Sequence, residues 1–228
     1  MTQYNQASEF TLSPDEIRRL LIHSDGAPDW NAVTARLGYY PRCRYRNALR
    51  NRVMMQMMYY CCLRRVEICR ADLRDVDHER HTLHIVGKGR PGSGEPLTRT
   101  NPIPEAVYAD LQLLIGGRRI PARRDTPAPL FVSQKGGPLT MHAVNNVVQN
   151  AGEAAGIQNP NPRRKHINPH LLRHTFGRHF LDAGGDIRVL QSLMGHSTIA
   201  TTVNVYGTPS QAHVRTEYSR ILDQLKGA

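Results

Sequence analysis

The stretch HLLRHTF at residues 170–176 sets a histidine three positions before an arginine, within a segment whose apolar spacing predicts a helix. Side chains three positions apart share one face of a helix, so His170 and Arg173 can act on the same ligand. His174 lies four positions after His170, which leaves a zinc site open, although the acidic companions of a zinc peptidase are missing. A chain with this many histidines and arginines is expected to hold such a pair by chance. The pair alone therefore decides no function.

Four further motifs surround this helix in a fixed order along the chain. Upstream, the run LRRVEI places Arg64 three residues before Glu67 at the end of a predicted helix, and IVGKG puts Lys88 on a tight turn after a predicted strand. Downstream, the run LMGHS contains His196 and the run TTVNVYG contains Tyr206. Each motif is weak by itself, and the ordered set carries the argument.

The charge balance indicates a polyanionic partner. Thirty basic residues, of which 26 are arginine, stand against nineteen acidic ones and give a net charge of +11. Each phosphate that a basic side chain neutralises releases counterions, which adds affinity for nucleic acid of any sequence. The planar fork of arginine suits phosphate oxygens better than the point charge of lysine. A solvated basic surface is the alternative, and the charge favours nucleic acid over it.

The spacing of apolar residues predicts a mainly α fold with a small antiparallel β-sheet. Alternation at Thr82, His84 and Val86 predicts a short strand, and residues 96–104 can return beside it. The prolines in that return require an edge position, because proline cannot donate to a central ladder. Helical patterns begin near residue 14 and again at residue 48, the second one rich in methionine. Further helices are predicted at residues 105–115, 141–155, 169–183, 187–194 and 212–225.

In this order and at these separations, the five motifs resemble the tyrosine recombinases of the phage integrase family. The resemblance runs from about residue 11 to the end of the chain, and it implies a tyrosine recombinase (integrase-like) catalytic domain over residues 11–228. Residues 1–10 are then expected to form a flexible tail. Family members usually carry an N-terminal helical domain that clamps the far side of the DNA. We therefore expect either an excised catalytic fragment or a short member that consists of the catalytic domain.

The resemblance assigns six catalytic positions to this chain. They are Arg64 as the first catalytic arginine, Lys88 as the lysine of the β-turn, His170 and Arg173 as the His-x-x-Arg pair, His196 as the second histidine and Tyr206 as the nucleophile.

Some details depart from the commonest family pattern. Arg65 competes with Arg64, but its spacing to Glu67 is wrong by one residue. Cys62 stands where the family usually has glycine. Tyr206 lies one residue farther from the second histidine than is commonest, in a longer version that also occurs in the family. Tyr218 is the fallback nucleophile.

The resemblance implies a site-specific DNA recombinase that cleaves and rejoins strands through a 3′-phosphotyrosine, in integration, excision, inversion or resolution. Two guanidiniums can clamp the phosphate and stabilise the charge that develops on it. His170 is then the candidate base, Lys88 the acid for the departing 5′-oxygen, and His196 a hydrogen-bond donor to the phosphate. The covalent bond stores the energy, so no ATP, metal ion or other cofactor is expected.

The expected partners are double-stranded DNA and three further copies of the chain in a homotetramer on DNA, with a monomer in solution allowed. The amphipathic residues 212–225 can pack on their own domain or on a neighbouring copy. No apolar run is long enough for a membrane span and no signal peptide is evident, which predicts a cytoplasmic protein at the nucleoid. Three alternatives stay open: a type IB topoisomerase-like enzyme, a catalytically silent DNA-binding regulator and a metal hydrolase.

Overall fold

The computed structural model describes residues 10–23, 44–87, 97–116, 126, 128–207 and 214–219. Its elements confirm the predicted fold class, since helices pack around one small antiparallel sheet. Residues 214–219 are also helical. In chain order the named elements are α1 (Pro14–His23), α2 (Arg44–Tyr60), α3 (Arg65–Arg70), a 3₁₀ turn (Leu73–Asp75), β1 (Val76–Asp77), β2 (Thr82–Val86), β3 (Thr98–Pro102), α4 (Glu105–Ile115), α5 (Met141–Ala154), α6 (Pro169–Asp182), α7 (Ile187–Met194) and α8 (Ile199–Tyr206).

The helix α2 forms the centre of the core. In this methionine-rich helix, Met54, Met57 and Met58 are fully buried, and Met55 is buried as well, so the buried side chains cover more than one face. This helix is surrounded because α1, α4 and α6 all pack against it. Unbranched thioether side chains fill the irregular gaps between such neighbours. Burial of each methionine contributes about 1.5–3 kcal/mol to stability.

The sheet has the order β1-β2-β3, and all pairs are antiparallel. β2 lies in the middle and buries Leu83 and Ile85, as its alternation predicts. β3 is an edge strand and ends at Pro102, so the predicted edge position is confirmed. The register sets Ile85 opposite Arg99. This pairing turns a charged residue of the edge strand towards the interior.

The helix α1 begins at a capping box, for which the run SPDE at residues 13–16 is the sequence signature. The Ser13 hydroxyl accepts the amide of Glu16 at 3.2 Å, and the Glu16 carboxylate accepts the amide of Ser13 at 2.8 Å. Just before this cap, the amide of Leu12 donates to the Thr175 hydroxyl in α6 at 3.2 Å. The start of the described chain is therefore tied to the helix that carries the His-x-x-Arg pair.

Three larger differences from the prediction concern the helices. The residues 59–68 do not end one helix, because Cys62 has a left-handed backbone (φ 54°) that stops α2 before α3 begins. α2 also starts four residues earlier than residue 48, at Arg44. The helix α8 was not predicted, since its run of β-branched residues is typical of a strand. The hydroxyl of Thr198 caps it by accepting the amide of Thr201, and two of its side chains are buried.

In the part of the chain that the structure describes, no helix is long and apolar enough to cross a membrane.

Candidate active site

Arg64 sits where the chain turns between α2 and α3. It is the N-cap residue of α3, and its amide donates to the Glu67 carboxylate at 2.7 Å. Its guanidinium Nη1 donates to the same carboxylate at 3.0 Å, while Nη2 donates to the carbonyl of Gly195 at 3.1 Å. The Arg64 side chain remains 36% exposed, whereas that of Glu67 is 2% exposed. A buried carboxylate therefore holds an arginine that still reaches solvent.

Arg173 approaches from α6, whose start follows directly from the sequence. Asn168 caps the helix by accepting the amide of Leu171 at 3.1 Å, and Pro169 occupies the first helical turn. One turn later Arg173 is buried, and it donates to the carbonyls of Cys62 and Met194. Burial, and then the charge of Arg64, lower its pKa to about 10, so it stays cationic at neutral pH.

The two arginines converge on one place, because their guanidiniums donate to the carbonyls of the adjacent residues Met194 and Gly195. Both line an open pocket of about 690 Å³, together with His170. The competing Arg65 lines it too, but lacks the bonds to Glu67 and Gly195 that Arg64 makes. The other lining residues are Leu63, Val66, Met141, Asn145, Gln149, Arg164, Lys165, His166, Asn168 and Pro169.

His170 is exposed at this pocket, on the first turn of α6. Partial desolvation, followed by the positive charges of Arg173 and Arg64, lowers its pKa. The ring is therefore neutral at pH 7 and able to accept a proton. This state fits the base that the sequence predicts, and the role itself stays a prediction.

His196 follows the end of α7, where Gly195 takes the left-handed conformation (φ 56°) that ends many helices. Its Nδ1 lies 3.0 Å from the hydroxyl of Thr202 in α8. Burial, then the charges of Arg173 and Arg64, lower its pKa to about 4. His196 does not line the pocket, but it lies within the field of the same two arginines, which do line it.

Tyr206 is withdrawn from the pocket. It ends α8 with only 2% of its surface exposed, and its hydroxyl lies 3.9 Å from the sulfur of Met194. Its ring stacks on His174, with 5.1 Å between the centroids. Burial raises its pKa above the ordinary value, and the charge of Arg173 offsets this only in part. The phenol is therefore protonated and covered in this conformation.

Lys88 lies outside the described residues. Its flanks are described: β2 ends at Val86, β3 begins at Thr98, and the amide of Gly87 donates to the carbonyl of Leu97 at 2.9 Å.

The hypothesis that His170 and His174 bind zinc finds no support, since the described ranges contain no group of three metal-binding side chains. His174 instead packs against the phenol of Tyr206.

Sequence reasoning missed Arg99, which forms a two-pronged ion pair with Glu67 at 2.8 Å for both contacts. Burial opposes ionisation of Glu67, but the bonds to Arg99 outweigh it and lower the pKa to about 2. A glutamate between the apolar residues Val66 and Ile68 was the available signal, because a buried carboxylate requires a cation. Nothing in the sequence indicated which of the 26 arginines supplies it.

The model of the phage integrase family matches residues 12–213, which is most of the chain. The chain belongs to the phage integrase family. Among curated proteins, this integrase-family chain is similar to tyrosine recombinase XerD of Mycobacterium leprae (38% identical over 68% of this chain and 46% of the relative). It is also similar to tyrosine recombinase XerC of Halalkalibacterium halodurans (33% identical over 75% of this chain and 54% of the relative). The chain thus spans about half the length of these relatives.

Solved structures share the fold of this integrase-family chain. The crystal structure of XerA recombinase matches 95% of this chain and 65% of its own, with a TM-score of 0.64 and 23% identity. The Tn1549 transposon integrase, in complex with transposon right end DNA, matches 96% of this chain and 67% of its own, with a TM-score of 0.64 and 21% identity. At these identities the likeness concerns the fold.

Proposed function

We propose that this chain is the catalytic domain of a site-specific DNA recombinase that cuts and rejoins strands through a 3′-phosphotyrosine. One observation carries the proposal: Arg64 and Arg173 reach one pocket from different helices, and adjacent carbonyls anchor them there. Two guanidiniums on one phosphate stabilise the charge that grows on its oxygens during transesterification. The names of the relatives, tyrosine recombinases XerC and XerD, support the same reaction.

The proposed step keeps the number of phosphate ester bonds constant. The phenolic oxygen of Tyr206 attacks phosphorus, a bond to that oxygen forms, and the bond from phosphorus to the 5′-oxygen breaks. The neutral ring of His170 accepts the phenolic proton, and Lys88 gives a proton to the departing 5′-oxygen. Attack by a 5′-hydroxyl from a partner strand reverses these events. No nucleotide cofactor or metal ion is required in this scheme.

His196 fits a donor to the phosphate if Thr202 donates to its Nδ1. In that tautomer the proton sits on Nε2, which is then available to an oxygen of the substrate. A low pKa favours this role over that of a cation, because the ring stays neutral between the arginines.

Tyr206 has to leave its packing site before the attack. Its hydroxyl faces Met194 and its ring covers His174, so the resting phenol is outside the pocket that binds the phosphate. The carbonyl of the same Met194 accepts from Arg173, so one residue contacts both the covered phenol and an arginine of the pocket. We propose that DNA binding and assembly release the end of α8.

The DNA is proposed to lie across the pocket, between α6 and α5. The basic residues Arg163, Arg164 and Lys165 are exposed on a loop that Asn159 and Asn161 brace internally. Cations in this place suit backbone phosphates. The opposite wall is a different surface: the exposed or half-exposed face of α5 carries uncharged polar side chains, namely His142, Asn145, Asn146, Gln149 and Asn150. Amide side chains are suited to hydrogen bonds with base edges, so we propose that α5 contacts the bases.

Four copies are proposed to act together on two DNA sites, at the nucleoid. Support comes from residues 214–219, a helical stretch whose side chains are all exposed, with Val214 47% and Tyr218 65% accessible. An apolar helix face in this state suits docking on a neighbouring copy. Tyr218 remains the alternative nucleophile.

Covalent trapping tests the proposal. The protein is mixed, in EDTA, with nicked duplexes from the DNA that flanks its own gene and with a randomised library, and denaturing gels then show any DNA-linked band. We expect an adduct that Tyr206→Phe abolishes and Tyr218→Phe leaves intact. Arg173→Gln should also abolish it, while Arg80→Met, a change at an exposed arginine paired with Asp77, should not.

The same experiment separates the alternatives. Relaxation of plasmids that carry no site indicates a topoisomerase, and salt-sensitive binding without an adduct indicates a regulator. Cutting that needs a metal ion and leaves no adduct overturns the proposal.

A further inference from the structure

Arg99 of β3 is a charged residue whose bonds all go to the protein interior. Its side chain is 8% exposed, so it offers almost nothing to a substrate. Its Nη1 and Nη2 each donate to one oxygen of Glu67 at 2.8 Å. Its Nε donates to the carbonyl of Leu193 at 3.0 Å, and Nη2 also donates to the carbonyl of Cys62 at 3.3 Å.

Two of these acceptors are shared with the proposed phosphate-binding arginines. The Glu67 oxygen that accepts from Arg99 Nη1 also accepts from Arg64 Nη1, and the carbonyl of Cys62 also accepts from Arg173. Arg99 is thus one shared atom away from each of the two guanidiniums that line the pocket. A shift of Arg99 would move both acceptors together.

The third acceptor connects Arg99 to the turn that carries His196. The carbonyl of Leu193 belongs to the last turn of α7, and Asn101 of the same strand also donates to it at 2.8 Å. The backbone of Gly195 lies so close that a Cβ there would be 2.9 Å from Arg99 Nη1. The side chain of Arg99 therefore packs directly against the turn that precedes His196.

The charges also matter, because both Arg64 and Arg99 contact the carboxylate of Glu67. With Arg99 present, the Glu67 charge is shared and Arg64 keeps net positive charge for a phosphate. Without Arg99, the carboxylate would pair with Arg64 alone and cancel that charge. A buried ion pair that loses one partner leaves an uncompensated charge, which costs more than replacing both partners.

We propose that Arg99 is a positioning residue for the catalytic site: it fixes Arg64, Arg173 and the His196 turn through shared acceptors, and it keeps Glu67 from neutralising Arg64. This inference rests on the proposed recombinase function. It assigns no contact between Arg99 and DNA.

Three variants test it, with Arg80→Met as the matched exposed-arginine control. Arg99→Met removes the charge, whereas Arg99→Lys keeps the charge but loses the two-pronged guanidinium. The double variant, Arg99→Met with Glu67→Gln, removes both charged partners. Circular dichroism checks the fold of each. Single-turnover trapping on the nicked duplex gives the rate, and NMR titration of His196, assigned with His196→Asn, reports the field in the site.

Arg99→Met is expected to slow adduct formation about tenfold or more. It should also raise the pKa of His196, because the charge of Arg99 contributes to lowering it, alongside burial and the charges of Arg173 and Arg64. Arg99→Lys should keep that pKa low and still lose rate, since a point charge cannot span both carboxylate oxygens. The double variant should recover part of the lost rate, because no buried charge is left unpaired.

A folded Arg99→Met protein that cuts within about twofold of the Arg80→Met control overturns the inference. If Arg99→Met does not fold, Arg99→Lys at the parental rate overturns it instead. If the parent itself forms no adduct, the recombinase proposal fails separately. The affinity for inorganic phosphate, monitored through the NMR signals of the His170 ring, then decides whether Arg99 controls the pocket. Equal affinity in the parent and in Arg99→Met overturns the inference.

Discussion

The phenol ring of Tyr206 lies almost parallel to the imidazole of His174, with 5.1 Å between the ring centroids and 23° between the planes. The proposed nucleophile is thus part of a small apolar cluster that also contains Cys62, Leu181, Leu190 and Met194. The same packing that completes the fold keeps the phenol protonated, because burial raises its pKa.

Gly177 of α6 allows this packing, since a Cβ there would lie 2.3 Å from the hydroxyl oxygen of Tyr206 and 2.8 Å from Cε of Met194. Gly177→Ala is therefore expected to displace the ring, to cost about 1–3 kcal/mol of stability and to lower the pKa of Tyr206 towards its ordinary value. Urea unfolding gives the first quantity, and the difference ultraviolet titration against the Tyr206→Phe background gives the second. Gly137→Ala is the control, because no atom lies within 4 Å of a Cβ at that position. An unchanged titration in folded Gly177→Ala protein would contradict this account.

Acidification below neutral pH is expected to destabilise the protein through His196. Burial and neighbouring arginines lower its pKa to about 4 in the folded state, whereas the unfolded chain has the ordinary value of 6.5. The unfolded state therefore binds the proton first, and stability is lost as pH falls from 6.5 towards 4. At pH 5 the loss is about 2 kcal/mol for this ring. Urea titrations at pH 7 and pH 5 measure it.

His196→Asn should remove only part of that difference, since burial also lowers the pKa of His174 to about 4 and the pKa values of His170 and His179. Glu67 does not contribute in this window, because its carboxylate protonates only at lower pH. An undiminished difference in His196→Asn protein would show that the ring is not held neutral.

Cys62 adopts a left-handed backbone conformation and presents its carbonyl to both Arg173 and Arg99. Cys62→Gly is expected to keep the stability within about 1 kcal/mol, because relief of backbone strain offsets the lost side-chain packing. Cys62→Val should destabilise by about 2 kcal/mol or more and slow adduct formation, because a β-branched residue resists this conformation and the carbonyl would move. Thermal unfolding and trapping rates check both. Parental activity in Cys62→Val would rule out the carbonyl as the anchor of the site.

The two walls of the pocket should respond differently to mutation. Asn145→Ala and Gln149→Ala are expected to relax the preference at single base pairs by about 1–3 kcal/mol and to leave the salt dependence of binding unchanged. Arg164→Ala and Lys165→Ala should weaken binding to all sequences and reduce the salt slope by about one each. Binding to a randomised library at several salt concentrations separates the two effects. A uniform loss in Asn145→Ala would indicate that α5 does not contact the bases.

Most helices and the edge strand were predictable because their signals are local. The Ser13 cap box, the Asn168-Pro169 start of α6 and the prolines of β3 each act over a few residues. The helix α8 was missed because its β-branched residues favour a strand locally, and only its cap and its packing reverse that preference. The break at Cys62 was missed because no local motif marks its left-handed backbone, whereas the contacts of this residue are with Arg173, Leu181 and Met194, which are distant in the sequence.

Candidate site residues could be named from the sequence, but neither their arrangement nor their catalytic roles could be, and the roles stay predictions. The order of the motifs led to Arg64 and Arg173, and the structure brings them into one pocket. The partner that neutralises Glu67 lies 32 positions away in an edge strand, where no motif marks it. The burial of Tyr206 outside the pocket could not be predicted from the sequence either, because it depends on how its ring packs against Gly177 and His174.

Under the proposed function, the covered phenol limits accidental cleavage of DNA. A recombinase with a net charge of +11 would bind DNA of any sequence, and would therefore meet other DNA far more often than its own site. If cleavage of a DNA strand required only that a phosphate enter the arginine pocket, each of these encounters could produce a nick. With Tyr206 under Met194 and His174, such an encounter finds the phosphate clamp without the nucleophile. We therefore expect the uncomplexed protein to scan chromosomes harmlessly, with cutting reserved for the moment when the partners are in place.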